Sequence, residues 1–319
     1  MLSGRMPRSV AVAIPCWNGR RWLDGCLEAV LAQTRRPDEV IVVDNGSTDG
    51  SAGHVRTRFP DVRLLELERN TGFAGAANAG LRASAAEAVA LVNTDVRLAP
   101  DWLARACAAL DASPRAASVA TKLLDLGDRS LVYDAGDVLR RDGACEQRGR
   151  HRPDDGRFDE PGEVFGACAA AALYSRAHVL ELGGFDERFF LYLEDVELAL
   201  RLRLAGWTCT YEPAVALHAG EGSAGPPERP VHAWVERNTL LLVARAYPWR
   251  WAPLVAYRQL AWLWHALRAG RLRSHLGGAL AAAPLLPAMW RERRPLRRAA
   301  RVPVEQAVPA HPLRGPSAR

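Results

Sequence analysis

Short apolar runs alternate with stretches of helical periodicity over the first hundred residues. "SVAVAIP" has no polar residue after its first and predicts a strand, and "GRRWLDGCLEAVLAQT" comes next with apolar residues at helical spacing. "EVIVVD" and "VRLLELE" predict two more strands, "GAANAGLRAS" a helix and "AVALVN" a fourth strand. Strands and helices alternating in this way predict a parallel sheet covered on both faces. Such sheets bind ligands beyond the carboxyl ends of their strands. Each predicted strand runs into polar residues: Pro15 to Asn18, Asp44 and Asn45, Arg69 and Asn70, and Asn93 to Asp95. All four ends are expected along one rim.

Beyond Pro100 the pattern turns α+β. A helix is expected near 101–111, weakly marked strands between 118 and 150, and a polar loop at "RGRHRPDDGRFDEPGE". "RFFLYLEDVELALRLRLAGW" predicts a helix with Val196, Ala199, Leu200 and Leu204 on one face, and "TCTYEPAVALHAG" a strand pair. The Gly/Pro-rich "EGSAGPPERP" reads as a mobile lid or linker. Residues 231–298 read as Arg- and Trp-rich amphipathic helices, a composition suited to a lipid interface, with simple packing on the preceding domain as the alternative. From about Ala299 a disordered tail is expected.

Composition narrows this picture. With 319 residues, 49% of them hydrophobic, the chain can bury a substantial core, which excludes disorder throughout. A formal charge of +6 fits an anionic partner: nucleic acid, a phosphorylated small molecule or a membrane surface. Lys122 is the only lysine, so the abundance of Arg reflects coding bias more than phosphate recognition. Six scattered cysteines with no CxxC pair point to neither a zinc site nor a disulfide framework and fit a reducing compartment. "MLSGRMPRSV" lacks the apolar core of a signal peptide, and no uncharged apolar stretch reaches the roughly 18 residues of a spanning helix. A cytoplasmic protein is expected.

The candidate chemistry lies at the polar strand ends. Asp44 in "VVDNGSTDGS" could accept the imide N–H of a uracil or thymine ring, or serve only in a strand-to-helix turn. "RNTGFAGAANAGL" places small residues at a strand-to-helix junction, where backbone can approach a phosphate-bearing ligand. It is not a GxGxxG fingerprint, and no GxxxxGK[ST] loop succeeds a predicted strand. Asp95 with Asn93 offers the hard oxygen ligands that Mg²⁺ or Mn²⁺ prefers, or simply caps the next element of the chain. His218 closes "AVALH" outside any apolar period. Glu194 and Asp195 stand where the "LEDVELALRL" helix begins; the helix dipole there favours an ionised carboxylate able to take a proton, with plain capping as the alternative.

In order, "VAIPCWNG", "VVDNGSTDGS", "RNTGFAGAANAG", "LVNTDV", "GGFDERFFLYLEDVELALRLRLAGW" and "LHAGEGS" closely resemble the family 2 glycosyltransferases of the GT-A fold, nearest to their bacterial rhamnosyltransferase-like branch. The resemblance implies a Rossmann-like mixed sheet flanked by helices, with a C-terminal helical extension. It implies an inverting, metal-dependent transfer from a dTDP- or UDP-sugar to a glycan or lipid-linked acceptor in cell-envelope polysaccharide synthesis. Carried over by position, Pro15, Asn18, Asp44, Arg69, Asn70, Gly75, Asn78 and Asn93 would surround the nucleotide sugar. Asp95 and His218 would hold Mg²⁺ or Mn²⁺, Asp195 would be the general base, and Glu194 would orient the acceptor. Asn93 stands where many relatives carry a carboxylate, and Trp17 where Tyr is usual.

The expected organisation is a catalytic domain over 1–222, its donor half ending near 100 and its acceptor half running over 101–222. A membrane-associating extension over 223–298 and a tail over 299–319 complete it. The protein is expected on the inner face of the cell membrane, without nucleic acid as a partner. A sugar nucleotidyltransferase shares the sheet and the acidic metal site but carries an N-terminal Gly-rich loop where this chain has "IPCWNGRRW". An inactive scaffold would be expected to lack Asp95 or Asp195, and both are present.

Overall fold

The computed structural model describes residues 8–220 and 230–310. The first half comprises β1 (Val10–Cys16), α1 (Leu23–Leu31), β2 (Glu39–Asp44), α2 (Ser51–Arg58), β3 (Arg63–Glu66), α3 (Gly72–Ala83) and β4 (Ala88–Val92). β1 pairs in parallel with both β2 and β4, and β2 with β3. β1 and β4 are buried along almost their whole length, which is why they read as unbroken apolar runs. β3, with Arg63 and Glu66 exposed, is the sheet edge.

The second half continues through β5 (Val96–Leu98), α4 (Trp102–Ala112) and the long β6 (Ala116–Asp125). Five short strands come next: β7 (Leu131–Asp134), β8 (Asp137–Leu139), β9 (Cys145–Gln147), β10 (Arg152–Pro153) and β11 (Gly162–Val164). Then come β12 (Ala171–Ser175), α5 (Arg176–Glu181), α6 (Glu194–Leu204) and β13 (Thr208–His218). Among the described residues, eleven strands form one sheet with the main path β10-β7-β6-β12-β4-β1-β2-β3, while β8 and β9 form a separate hairpin. β12 is antiparallel to β4 and to β6, so the sheet changes there from parallel to mixed. The mixed α/β class flanked by helices is the expected one.

Two expectations on this half need correction. "TCTYEPAVALHAG" forms one strand, not a pair: Pro213 lies within the register shift between Glu212 and Val215, and a bulge accommodates its missing N–H. The polar stretch expected to be loop contains β10 and reaches into β11, which pairs with β13.

The small residues of α3 are explained by packing. A Cβ at Gly80 would lie 2.8 Å from Cβ of Ala13, so the helix lies directly on β1. Ala74 and Ala77 pack with Ala11 and Ala13, and Ala76 with Ile41 and Val43.

Among the described residues five α-helices follow: α7 (Val231–Ala246), α8 (Ala252–Arg268), α9 (Leu272–Ala282), α10 (Leu286–Ala299) and α11 (Val304–Ala307). Val196, Ala199, Leu200 and Leu204, the face of α6 marked in the sequence, share one apolar cluster with Leu241, Leu242, Met289 and Val304. The extension therefore supplies the other half of the core around α6. A buried ion network reinforces the junction. Arg201 donates to the Glu197 carboxylate and to the Leu182 and Gly184 carbonyls, and Arg245 donates to Glu197 and Asp186. Both cations are thereby compensated, as burial requires.

The expected disordered tail is corrected up to residue 310: Ala307 and Val308 are buried, and Arg141 donates to the carbonyls of Val308 (3.0 Å) and Glu305 (2.8 Å). Residues 311–319 lie outside the described residues, as does 221–229, nearly all of the expected lid.

Candidate active site

A cavity of about 320 Å³ is lined by Pro15, Asn70, Asn93 and Asp95 from the rim of the parallel half and by Ala169, Glu194, Asp195, His218 and Trp234 from elsewhere in the chain. Strand order creates the rim. Cys16 and Asp44 are register partners at the ends of β1 and β2, and the Asn45 N–H donates to the Cys16 carbonyl (2.7 Å). Asn45 is buried and joins three segments: its amide donates to Asn70 Oδ1 and the Gly72 carbonyl, both at 3.0 Å, and its Oδ1 accepts from the Thr71 N–H (2.8 Å). Asn18, with φ of 52°, ties the first loop to the second by accepting from the Thr48 N–H and donating its own N–H to Ser47 Oγ, both at 2.9 Å. Asp44 is buried; Oδ2 accepts from the Ser47 N–H, while Oδ1 has no hydrogen-bond partner among the described residues.

Asp95 and His218 meet because β5 starts immediately after Asp95 and pairs antiparallel with the end of β13, putting Val96 opposite His218. The Ala219 N–H donates to the Asp95 carbonyl (3.1 Å), and His218 Nε2 lies 3.6 Å from Asp95 Oδ2, both side chains buried. Tyr133 covers the imidazole with ring centroids 4.2 Å apart. Among the described residues no group of three or more His, Cys, Asp or Glu could enclose a metal ion. The pair offers one hard oxygen and one imidazole, which fits a divalent cation completing its shell from a diphosphate and water. Gly220 N–H donates to His218 Nδ1 (2.9 Å), which leaves the neutral ring's proton on Nε2. Ligation through Nε2 thus requires the other tautomer and release of that contact.

Glu194 and Asp195 open α6, as the sequence pattern indicated. The Ala169 N–H donates to Asp195 Oδ2 (3.1 Å) and the Val196 N–H to Oδ1 (2.8 Å). The neighbouring Ala170 carbonyl accepts from the Asn93 N–H (2.9 Å), so residues 169–170 bridge the rim and the start of α6. The expected ionising influence of the helix N-terminus is overridden. Burial raises Asp195 above the usual carboxylate range, although the Ala169 and Val196 N–H groups hold it back. Glu194 is raised well above that range by burial and by the charge of Asp195.

Not every residue expected near the nucleotide reaches the cavity. Asn18 and Asp44 do not line it, and Arg69 is exposed in the loop after the third strand. Gly75 and Asn78 have other uses. A Cβ at Gly75 would meet Thr71 Oγ1 at 2.4 Å, so glycine leaves room for the side chain that bonds Asn45. The Asn78 amide is spent inside the protein: it donates to the Phe185 carbonyl and Glu187, both at 2.9 Å, and accepts from the Phe185 N–H.

Comparison with known proteins bears on this geometry. Residues 11–183 match the model of glycosyl transferase family 2. The chain belongs to that family. This glycosyltransferase is 31% identical over 281 residues to the N-acetylglucosaminyl-diphospho-decaprenol L-rhamnosyltransferase of Mycobacterium tuberculosis, covering 80% of the chain and 88% of the relative. It is 30% identical over 256 residues to an N-acetylglucosaminyltransferase of Mesorhizobium japonicum, covering 75% of the chain and 58% of that protein. Among solved structures, the mannosyltransferase PcManGT of Pyrobaculum calidifontis, in complex with GDP-Man and Mn²⁺, superposes with a TM-score of 0.53 at 24% identity, over 93% of this chain and 86% of that one. GalNAc-T7 with UDP, GalNAc and Mn²⁺ gives a TM-score of 0.58 at 15% identity, over 76% of this chain and 48% of that one. These likenesses show the shared GT-A fold, and the family match removes the nucleotidyltransferase alternative.

The sequence reading of this glycosyltransferase missed Asp134 and Asp137. Both are buried beside the start of α6, and Asp137 lines the cavity. Burial pushes Asp134 up to about 7; burial and the charges of Asp195 and Asp134 raise Asp137 well above the usual range. Two acids flanking Ala-Gly inside the apolar stretch "LVYDAGDVL" were the available signal.

Proposed function

We propose that this glycosyltransferase moves a sugar, with inversion at the anomeric carbon, from a dTDP- or UDP-sugar to a hydroxyl of a lipid-linked glycan. The activity of the mycobacterial relative supports rhamnose as the sugar and a polyprenyl-diphosphate-linked N-acetylglucosamine as the acceptor, in cell-wall synthesis. The observation that carries the reading is the single cavity shared by Asp95, His218 and Asp195.

Pro15, Asn70 and Asn93 would hold the donor where they line the cavity, and Asn18, Asp44 and Arg69 would meet its base beyond that lining, where the buried Oδ1 of Asp44 has no other hydrogen-bond partner among the described residues. A Mg²⁺ or Mn²⁺ held by Asp95 and His218 would supply positive charge beside the departing diphosphate. Asp195 takes the acceptor hydroxyl's proton as that oxygen bonds to the anomeric carbon and the bond to the diphosphate oxygen breaks. Its raised affinity for a proton makes it a stronger base than a surface aspartate. Glu194, whose carboxyl burial and the neighbouring Asp195 charge raise well above the usual range, orients the acceptor by hydrogen bonding.

The proposed organisation keeps a catalytic unit over 1–222 and an extension after it that lies on the inner face of the membrane. No helix among the described residues is long and apolar enough to cross a membrane. Tyr257, Leu260, Trp264 and Leu267 form an exposed stripe along α8, joined by Leu276 and Leu280 of α9. Residues 231–299 hold twelve Arg and only two acidic residues, Glu236 and Glu292. Apolar side chains among cations fit an anionic lipid surface.

Replacing Asp195 by asparagine keeps the side chain's shape and removes the base. Transfer should fall by about 10²–10⁴-fold, while calorimetric donor affinity with Mn²⁺ is retained. Equal loss of both would mean that Asp195 only supports the fold.

A further inference from the structure

The turn before Glu194 is backbone under strain. Phe190 (φ 62°, ψ −63°), Tyr192 (φ 67°) and Leu193 (φ 63°) all have positive φ, a region that side chains larger than glycine avoid. The Leu191 N–H donates back to the Phe189 carbonyl (2.7 Å), making Phe190 the centre of a γ-turn of the rare, strained hand. Such a turn persists only when its surroundings overdetermine it.

The restraint comes from α7. The Asn238 side chain is fully buried, and its amide nitrogen faces three turn carbonyls: Phe189 (2.9 Å), Leu191 (2.9 Å) and Tyr192 (2.6 Å). One helical turn earlier, the Trp234 ring stacks on Phe190 with centroids 5.1 Å apart and planes 13° apart. Arg237 donates to the Arg188 carbonyl (2.8 Å). From the opposite side, the Ala74 N–H of α3 donates to the Phe190 carbonyl (3.3 Å). The turn feeds directly into the residues that open α6, so its conformation fixes where the Asp195 carboxyl stands.

We propose that Asn238 is a positioning residue for the transfer reaction: by holding three carbonyls of the 189–193 turn, it sets the placement of Asp195 against the acceptor hydroxyl. The proposal rests on Asp195 being the base, and it gives the C-terminal extension a direct part in catalysis.

The test combines Asn238→Ala, Asn238→Gln and the double variant Asn238→Ala/Leu193→Gly. Glycine at 193 removes strain from a positive-φ site and should restore stability lost with the clamp. In Asn238→Ala, assayed below its unfolding transition, kcat should fall by at least about tenfold. The donor KM should stay within about twofold and the pH at half-maximal kcat should shift, because the surroundings of Asp195 change. Asn238→Gln, with its amide moved by one methylene, should show the same split with a smaller loss of Tm. The double variant should recover Tm without recovering kcat, and it supplies the measurement if the single variants are too unstable to assay. Full kcat in folded Asn238→Ala, or kcat returning with Tm in the double variant, would overturn the proposal. Adding Asn238→Ala to Asp195→Asn should cause little further loss, since both act on one step. If Asp195→Asn alone stays active, the assignment of the base fails, whereas a full additive loss in the combined variant rejects only the clamp's action through Asp195.

Discussion

Replacing Gly72 by alanine probes the contact between the donor-side rim and the turn that leads to the proposed base. Gly72 has φ of 75°, and a Cβ there would lie 2.4 Å from the Phe190 carbonyl oxygen and 2.6 Å from two carbons of its ring. Comfortable separations are about 3.5–4.0 Å, so something must move. Gly50 is the matched control, with φ of 85° and nothing within 4 Å of its would-be Cβ. Left-handed backbone costs an alanine about 1–2 kcal/mol at either site. At Gly72 the overlap adds the cost of overpacking, about 1–3 kcal/mol. Gly50→Ala should therefore lose about 1–2 kcal/mol and Gly72→Ala about 2–5 kcal/mol, read as the difference between two urea-unfolding curves in one buffer. Activity should separate the pair further. Phe190 must shift to admit the methyl group, and a displacement of about 1 Å near reacting atoms can cost about 100-fold in rate. Gly50→Ala should keep its kcat, while Gly72→Ala loses most of it. Equal destabilisation of the two variants would show that Phe190 yields freely, and an unchanged kcat in Gly72→Ala would disconnect the turn from catalysis.

Two further outcomes are expected. The unfolded chain releases the Asp134 proton near pH 4, whereas the folded protein holds it to about 7, so stability falls as pH rises through that interval. Asp137 and Glu194 are raised in the same sense. Asp134→Asn should flatten the decline in Tm between pH 5 and 8, and a pH dependence parallel to that of the natural protein would rule out Asp134 as its source. On the surface of α8, Leu260→Ser combined with Trp264→Ser should release the protein from vesicles containing anionic lipid. The unfolding free energy should change by no more than about 0.5 kcal/mol, because both side chains are exposed. Undiminished co-sedimentation would reject the bilayer as the partner of this stripe.

The parallel half was legible because its strands are buried on both faces, so β1, β2 and β4 appear as apolar runs whose polar ends are the rim itself. The roles of Gly75 and Asn78 were not legible, because a small-residue helix looks the same whether its glycines admit a phosphate or a neighbouring strand. Only Ala13 against Gly80 and Thr71 against Gly75 decide in favour of packing. Asp134 and Asp137 were marked only as two acids inside an apolar stretch, because their interaction with Asp195 joins segments far apart in the chain. The ordered segment after Ala299 was hidden by its Arg and Pro content, although Val304 and Val308 belong to the core around α6.

The proposed division into a donor half and an acceptor half follows from the different things each would recognise. The stretch matching the family model, 11–183, contains Asp44, Asn70, Asn93 and Asp95, and it ends before Glu194, Asp195, His218 and Asn238. A nucleotide diphosphate presents a planar base and a chain of charged oxygens, so strand-end residues of fixed type at fixed places suffice for it. An acceptor hydroxyl offers only one proton and one lone pair to the reaction, and its placement depends on where the base is held. For Asp195, the proposed base, that placement is imposed from three sides: Ala169 bonds Asp195 directly, Gly72 and Ala74 close on Phe190 from α3, and Asn238 grips the turn from α7. Two of these three belong to the proposed catalytic unit over 1–222, and the third comes from residues after 230. A chain truncated before α7 would thus keep the proposed donor rim and lose both the Asn238 contacts to the strained turn and the apolar cover of α6. Transfer by this enzyme is therefore to be measured on a chain that includes α7 to α11.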